Sequence, residues 1–87
     1  MEKHIVFGVH VSGRTRHAPQ VQELFTEYGC HIKTRLGLHH VDNAACSDRG
    51  LILLELFGEE EKCFELKDKL NALDGVEVQA MVFAHPE

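Results

Sequence analysis

The stretch Gly50-Leu51-Ile52-Leu53-Leu54-Glu55-Leu56-Phe57-Gly58 decides the fold of this chain. Successive side chains of a β-strand point to opposite faces, so Ile52, Leu54 and Leu56 lie on one face while Leu51 and Leu53 lie on the other. A strand that is apolar on both faces is covered on both sides. The sequence therefore predicts a strand over 51–57 with other groups packed against each of its faces.

Two further strands are predicted before this one. Residues 4–11 alternate, with Ile5, Phe7 and Val9 on one side, and this period of two is typical of a half-buried strand. Residues 30–40 alternate in the same way, which predicts Ile32 and Leu36 in the core and Arg35 on the opposite side. Residues 41–49 are small and polar, which predicts a connecting loop.

Two helices and a last strand complete the pattern. Pro19 suits the first turn of a helix over 18–28, and Gly29 is typical of a helix end. Gly58 and the three acids at 59–61 begin a second helix, which Asp74-Gly75 ends. The apolar positions at helical spacing are Val21, Leu24, Phe25 and Tyr28 in the first helix and Cys63, Leu66, Leu70 and Leu73 in the second. Residues 76–83 alternate and predict a fourth strand.

The order β-α-β-β-α-β predicts an α+β fold, a ferredoxin-like sandwich in one domain over residues 1–87. Four strands would form an antiparallel sheet, and both helices would cover one of its faces. The length of 87 residues leaves no room for a second domain.

Composition excludes several classes of protein. The formal net charge of −5 argues against direct nucleic-acid binding, which needs a basic surface. No apolar run approaches the roughly 20 residues of a membrane span, and residues 1–11 do not resemble a signal peptide, so we expect a cytoplasmic protein that binds no membrane. Three cysteines without a CxxC pair predict no disulfide framework. We find no phosphate-binding loop, HExxH or Ser-His-Asp pattern and expect no enzyme activity.

The sheet face away from the helices is predicted to be an interface. Leu51, Leu53, Met81 and Phe83 would share this face, and a contiguous apolar patch of this size usually marks an interaction surface. We therefore predict a homo-oligomer, a dimer or a tetramer, that associates through this face. A loop or the four-residue tail folding over the patch is the alternative.

Two positions are candidates for a small-molecule effector. The loop Ser12-Gly13-Arg14 precedes the first helix, where backbone N–H groups hold carboxylates, although such a turn is often only a turn. Arg35 is predicted on the open face near Gly37, and a glycine inside a strand marks a bulge or a close backbone approach. Arg35 would meet an anion there, or it would pair with Glu55 or Glu77 across the sheet.

A divalent transition metal, Zn or Ni, is the alternative ligand. The chain has seven histidines, and His39, His40 and Cys46 are the best candidate ligands. Adjacent strand residues point to opposite faces, so His39 and His40 would bind one ion only if the strand ends at Leu38, and an ion shared between subunits is favoured. His10 and His31 are secondary candidates on the open face. Cys30 and Cys63 are expected to be small apolar core residues.

Four segments of the chain resemble one protein family. They are Val21–Gly29 (VQELFTEYG), Ile32-x-x-Arg35-x-Gly37-Leu38, Arg49–Ile52 (RGLI) and Lys69–Val78 (KLNALDGVEV). The family is that of the small ACT-like proteins called iron-only hydrogenase system regulators, and the likeness runs from about residue 4 to residue 82. The resemblance implies an ACT-like ferredoxin fold, self-association through the sheet and a regulatory role in bacteria.

Ligand sites implied by this resemblance map onto few residues here. ACT domains bind small effectors at subunit interfaces near the first loop and helix, and Ser12, Gly13 and Arg14 match that region loosely. The metal-binding domain of the nickel-responsive repressor is a more distant relative, and it uses His and Cys at subunit contacts. The connection that carries His39, His40 and Cys46 is longer than in the hydrogenase regulators.

Overall fold

The computed structural model describes residues 3–12, 17–41 and 46–84, with the side chains of 38–49 outside the description, and it contains a four-stranded antiparallel sheet. The elements are β1 (His4–Val11), α1 (Ala18–Glu27), a 3-10 helix (Gly29–His31), β2 (Ile32–Val41), β3 (Cys46–Leu56), α2 (Glu60–Asn71) and β4 (Val76–Phe83). The strands lie in the order β2-β3-β1-β4. The predicted ferredoxin-like β-α-β-β-α-β fold is confirmed.

The core lies between the sheet and the two helices. Every second residue of the central strand β1 is buried there, as its alternation predicts. The buried hydrophobic residues are Ile5, Phe7, Val9, Val11, Val21, Phe25, Tyr28, Leu54, Leu56, Cys63, Leu66, Leu70, Val76 and Val78. Because both helices contribute to this one core, the opposite face of the sheet has no helix in the described chain.

The pairing of β2 with β3 is irregular, and this irregularity corrects two predicted side-chain positions. Ile32 pairs with Leu56 but Thr34 pairs with Glu55, so one extra residue is inserted in β2. A one-residue insertion moves the following side chains to the other face. Arg35 pairs with Leu54 and lies on the helix face, so its predicted position on the open face is wrong. Leu36 pairs with Leu53, and it is 52% exposed on the open face instead of packed in the core.

The connection between β2 and β3 is shorter than predicted. Residues 41–49 were expected to form a loop, but β2 runs to Val41, β3 begins at Cys46, and these two residues pair. Once two neighbouring strands are paired, each further residue gains ladder hydrogen bonds, so the hairpin extends into a polar segment. The prediction of a loop over 41–49 is wrong at both ends.

Glycines set the boundaries around α2. Gly58 and Gly75 have positive φ angles of 91° and 84°, a backbone conformation that favours glycine. An ideal Cβ at Gly58 would lie 2.8 Å from Nδ1 of His31, so this turn also needs the absence of a side chain. The left-handed Gly58 separates β3 from α2, which therefore begins at Glu60 and not at 58. Gly29 does not adopt this conformation; it begins the 3-10 helix.

Candidate functional site

The side of the sheet away from the helices, here named the open face, is the candidate functional site. Residues that pair across antiparallel strands place their side chains on the same face. Since Ile5, Phe7 and Val9 face the helices, their neighbours along β1 face the other way. The open face consists of His4, Val6, Gly8, His10, Thr34, Leu36, Leu51, Leu53, Glu55, Glu77, Gln79, Met81 and Phe83.

Large apolar side chains make up much of the open face. Met81 is 54% exposed and Phe83 49% exposed, while Leu51 and Leu53 on β3 are partly exposed. Phe83 lies against the ring of His4, with 6.1 Å between the ring centroids. The four residues predicted as an interface therefore share one face of the single chain.

Glu55 is the polar centre of one end of the open face. Its Oε2 lies 2.7 Å from Nε2 of His4, and its Oε1 accepts a hydrogen bond of 2.9 Å from the hydroxyl of Thr34. The hydrogen bonds from His4 and then from Thr34 hold the pKa of the Glu55 carboxyl below the ordinary value of a glutamate. The ionised carboxylate on β3 thus joins a side chain of β1 to a side chain of β2.

A carbon-detected NMR titration of the Glu55 carboxyl tests this arrangement. In wild-type protein we expect a midpoint below the ordinary value of a glutamate. In a His4→Ala/Thr34→Ala variant the Glu55 midpoint should rise to the ordinary value. Because the folded-state pKa is lowered, the stabilisation by Glu55 is present above the ordinary pKa and is lost as the pH falls through the folded-state pKa. Identical midpoints in the two proteins would show that these hydrogen bonds do not form in solution.

A shallow depression lies at the other end of the open face. It has a volume of about 320 Å³ and is lined by Gly8, His10, Leu51, Glu77 and Gln79. His10 pairs with Glu77 across β1 and β4, and the Gln79 amide nitrogen donates a hydrogen bond of 3.1 Å to Oε2 of Glu77. An ideal Cβ at Gly8 would lie 3.8 Å from Cδ1 of Leu51, so the glycine leaves the floor of the depression open.

Arg35 and Gly37, which were predicted to bind an effector, lie apart from this depression. Nη2 of Arg35 donates a hydrogen bond of 2.6 Å to Oε1 of Gln22, and its guanidinium lies 4.8 Å from the centroid of the Phe25 ring. Arg35 thus contacts α1, and the expected pairing with Glu55 or Glu77 is wrong. Gly37 pairs with Ile52 at the outer strand, and no described atom lies within 4 Å of an ideal Cβ there, so the predicted close approach is absent from the described residues.

The predicted loop site is described only at its first residue. The backbone N–H of Ser12 donates a hydrogen bond of 2.8 Å to the carbonyl of Gly75, which ties the end of β1 to the start of β4. Gly13 and Arg14 lie outside the described residues. An effector site at Ser12, Gly13 and Arg14 stays a prediction.

The predicted metal ligands lie in the β2–β3 hairpin. The strand does not end at Leu38, because β2 continues through His39 and His40 to Val41, so the condition for binding one ion within a chain is not met by the backbone. The side chains of His39, His40 and Cys46 lie outside the described part, and the metal site stays a prediction. Within residues 3–12, 17–37 and 50–84, no three His, Cys, Asp or Glu side chains are placed to hold a metal.

Three further predictions concern His31, a secondary metal candidate, and the cysteines Cys30 and Cys63. His31 lies in the 3-10 helix with Nδ1 3.2 Å from the carbonyl of Phe57, so its predicted place on the open face is wrong. Cys63 is buried, as predicted, and burial raises the pKa of its thiol. Cys30 is exposed, because the 3-10 helix that follows α1 turns it away from the core.

His10, Glu77 and Gln79 lie together on the open face, and the sequence did not predict this group. Alternation along β1 and β4 indicates the face of each residue, but not which residues of the two strands lie opposite each other. The pairing of His10 with Glu77 depends on the register between strands more than 60 residues apart in the chain.

Comparison with known proteins shows the fold. The structure is similar to that of the uncharacterized protein TM1266 from Thermotoga maritima, with a TM-score of 0.81 and 23% identity, covering 97% of this chain and 100% of that one. It is also similar to the apo form of CPII from Thiomonas intermedia K12, a nitrogen regulatory PII-like protein, with a TM-score of 0.54 and 14% identity, covering 97% and 95% of the two chains.

Other comparisons yield no relative. No protein-family model matches the chain. No curated protein matches it either. Among the described helices, none has the length and apolar character needed to cross a membrane. The likeness to solved structures therefore establishes the ferredoxin-like fold of this chain, shared with an uncharacterized protein and a PII-like protein.

Proposed function

We propose that this chain is a small, cytoplasmic regulatory domain whose copies associate through their open faces and bind a small-molecule effector at the interface. The observation that carries the proposal is the set of large apolar side chains on the side of the sheet that no described helix covers. Full burial of such a side chain contributes about 1.5–3 kcal/mol relative to full exposure, and burying the part that is still exposed here contributes a corresponding share. A second copy would supply this burial.

The size of the open face supports a self-association of this kind. Four strands about 4.8 Å apart, over the about 26 Å that the eight residues of β1 and β4 span, cover roughly 500 Å² per copy. Two such faces would bury about 1,000 Å² in total, which reaches the threshold for a specific interface. The face mixes apolar side chains with His4, His10, Glu55 and Glu77, and such a mixture is typical of interfaces that also bind small polar molecules.

The regulatory role is supported by similarity in sequence and in fold. The sequence resembles the iron-only hydrogenase system regulators, and the fold is shared with a nitrogen regulatory PII-like protein. We assign no reaction to the chain. Its buried thiol, Cys63, has a raised pKa and faces the core, which is the wrong setting for a nucleophile.

Sedimentation equilibrium at several protein concentrations tests the proposed assembly. We expect a mass of two or four times the 9.8 kDa of one chain at micromolar concentration, with dissociation only on further dilution. A mass of 9.8 kDa throughout the micromolar range would contradict the proposal.

A further inference from the structure

We propose that the depression at Gly8, His10, Leu51, Glu77 and Gln79 binds a small organic cation, a primary amine or an amidine with a short apolar body. This inference rests on the proposed function, because the second copy would close the depression from the solvent side. It names the chemical class of the effector, which neither the fold nor the resemblance specifies.

The polar groups of the depression are mainly acceptors. The carboxylate of Glu77 only accepts hydrogen bonds, and one of the two N–H groups of the Gln79 amide is already donated to Glu77 Oε2. The carbonyl oxygen of Gln79 and the remaining capacity of Glu77 are therefore suited to N–H donors. Charge-assisted hydrogen bonds to a carboxylate are about twice as strong as neutral ones, which favours a donor that is positively charged.

The rest of the lining is suited to a short apolar group. Leu51 forms one wall, and Gly8 leaves the floor open because it has no side chain. The volume of about 320 Å³ lies at the small end of the range for small-molecule sites. A body of a few carbon atoms would contact Leu51 while its ammonium or amidinium group meets Glu77.

The residues that line the depression argue against an anion or a metal ion as the ligand. An anion would be repelled by Glu77, and no Lys or Arg is among the described residues that line the depression. Among the described residues, a metal ion would find two favourable ligands at the depression, His10 and Glu77, and no group of three His, Cys, Asp or Glu residues is present there. An organic cation needs only the acceptors and the apolar wall that one copy supplies.

NMR titration of the full-length, ¹⁵N-labelled protein with three matched probes tests the inference. The probes are 3-methylbutylamine, the neutral 3-methylbutanol and the anionic 4-methylpentanoate, with ZnCl₂ alone as a fourth arm. We expect the amine to shift the amide signals of Gly8, His10, Leu51 and Glu77 in a saturable way. The alcohol should bind at least tenfold more weakly, and the carboxylate should cause no saturable shift at these residues.

Two variants and a charge-matched control complete the experiment. Glu77→Gln removes the carboxylate and should weaken amine binding at least tenfold, and Gly8→Val fills the floor and should abolish it. Glu61→Gln removes the same charge from an exposed position on α2 and should leave binding unchanged. Sedimentation of each protein shows whether the assembly persists.

The possible failures are distinguishable. An assembled protein whose amine binding is unchanged by Glu77→Gln, or which binds Zn²⁺ but not the amine at these residues, overturns the inference and leaves the proposed assembly intact. A monomeric wild-type protein overturns the proposed assembly itself, whatever the probes do.

Discussion

Replacing Met81 and Phe83 together with glutamate should raise the dissociation constant of the assembly at least a hundredfold. Both side chains are about half exposed on the open face of the single chain. Because about half of each side chain is still exposed in the single chain, each loses about half of the 1.5–3 kcal/mol of full burial in every copy, and about 1.4 kcal/mol in total already corresponds to a tenfold change in affinity. The new carboxylates would also lie on a face that already carries Glu55 and Glu77. Sedimentation of the Met81→Glu/Phe83→Glu variant measures the change.

Val82 provides a matched control for this variant. It lies between Met81 and Phe83 on β4, is 43% exposed, and pairs with Ile5, so its side chain is on the opposite side of the sheet. Val82→Glu should leave the dissociation constant within about threefold of wild type, since exposed surface substitutions away from an interface have small effects. Equal dissociation by the control and the double variant would show that general destabilisation, and not the open face, explains the loss.

The second large effect is on folding, at Leu54. This residue is fully buried on the helix face of β3, where it pairs with Phe7. Removing most of such a side chain leaves a cavity, so Leu54→Ala should lower the free energy of unfolding by about 2–5 kcal/mol. The loss should be the same at low and high protein concentration. Urea denaturation at two concentrations measures it.

Leu53 precedes Leu54 in β3, but its side chain lies on the open face. Its substitution therefore provides a contrast with Leu54→Ala. In dilute, dissociated protein Leu53→Ala should cost less than Leu54→Ala, because Leu53 is only partly buried in one chain. Its cost should grow as the concentration rises through the dissociation constant of wild type, because an assembly stabilises the folded state by mass action. A cost for Leu53→Ala that does not depend on concentration would mean that this side chain is not part of an interface.

The architecture could be predicted from sequence because its strongest patterns are local. The period of two in β1, the two apolar faces of β3 and the stripe Cys63, Leu66 and Leu70 of α2 each report burial over a short window. The helix ends were predicted to within two residues, and the predicted stop at Asp74-Gly75 contains a glycine with a positive φ angle. These patterns identify faces and element types without knowledge of their partners.

Features that depend on how the strands pair with one another could not be predicted in this way. The extra residue between Ile32 and Thr34 leaves no mark on the alternation of the segment, yet it exchanges the faces of Arg35 and Leu36. The hairpin pairing of Val41 with Cys46 extends into a segment whose composition is typical of a loop. The depression at Gly8 arises only when β1 and β4 are in register, which no local pattern encodes.

An isotope-filtered NOE experiment on an assembly mixed from two populations shows whether copies of this chain meet through the open face. One population carries ¹³C-labelled Leu and Met methyl groups, and the other is unlabelled. We expect NOEs between subunits at the methyl groups of Met81 and Leu53 and none at buried Leu66 of α2. An assembly whose intersubunit NOEs come from the helices, with Met81 and Leu53 silent, would contradict association through the open face.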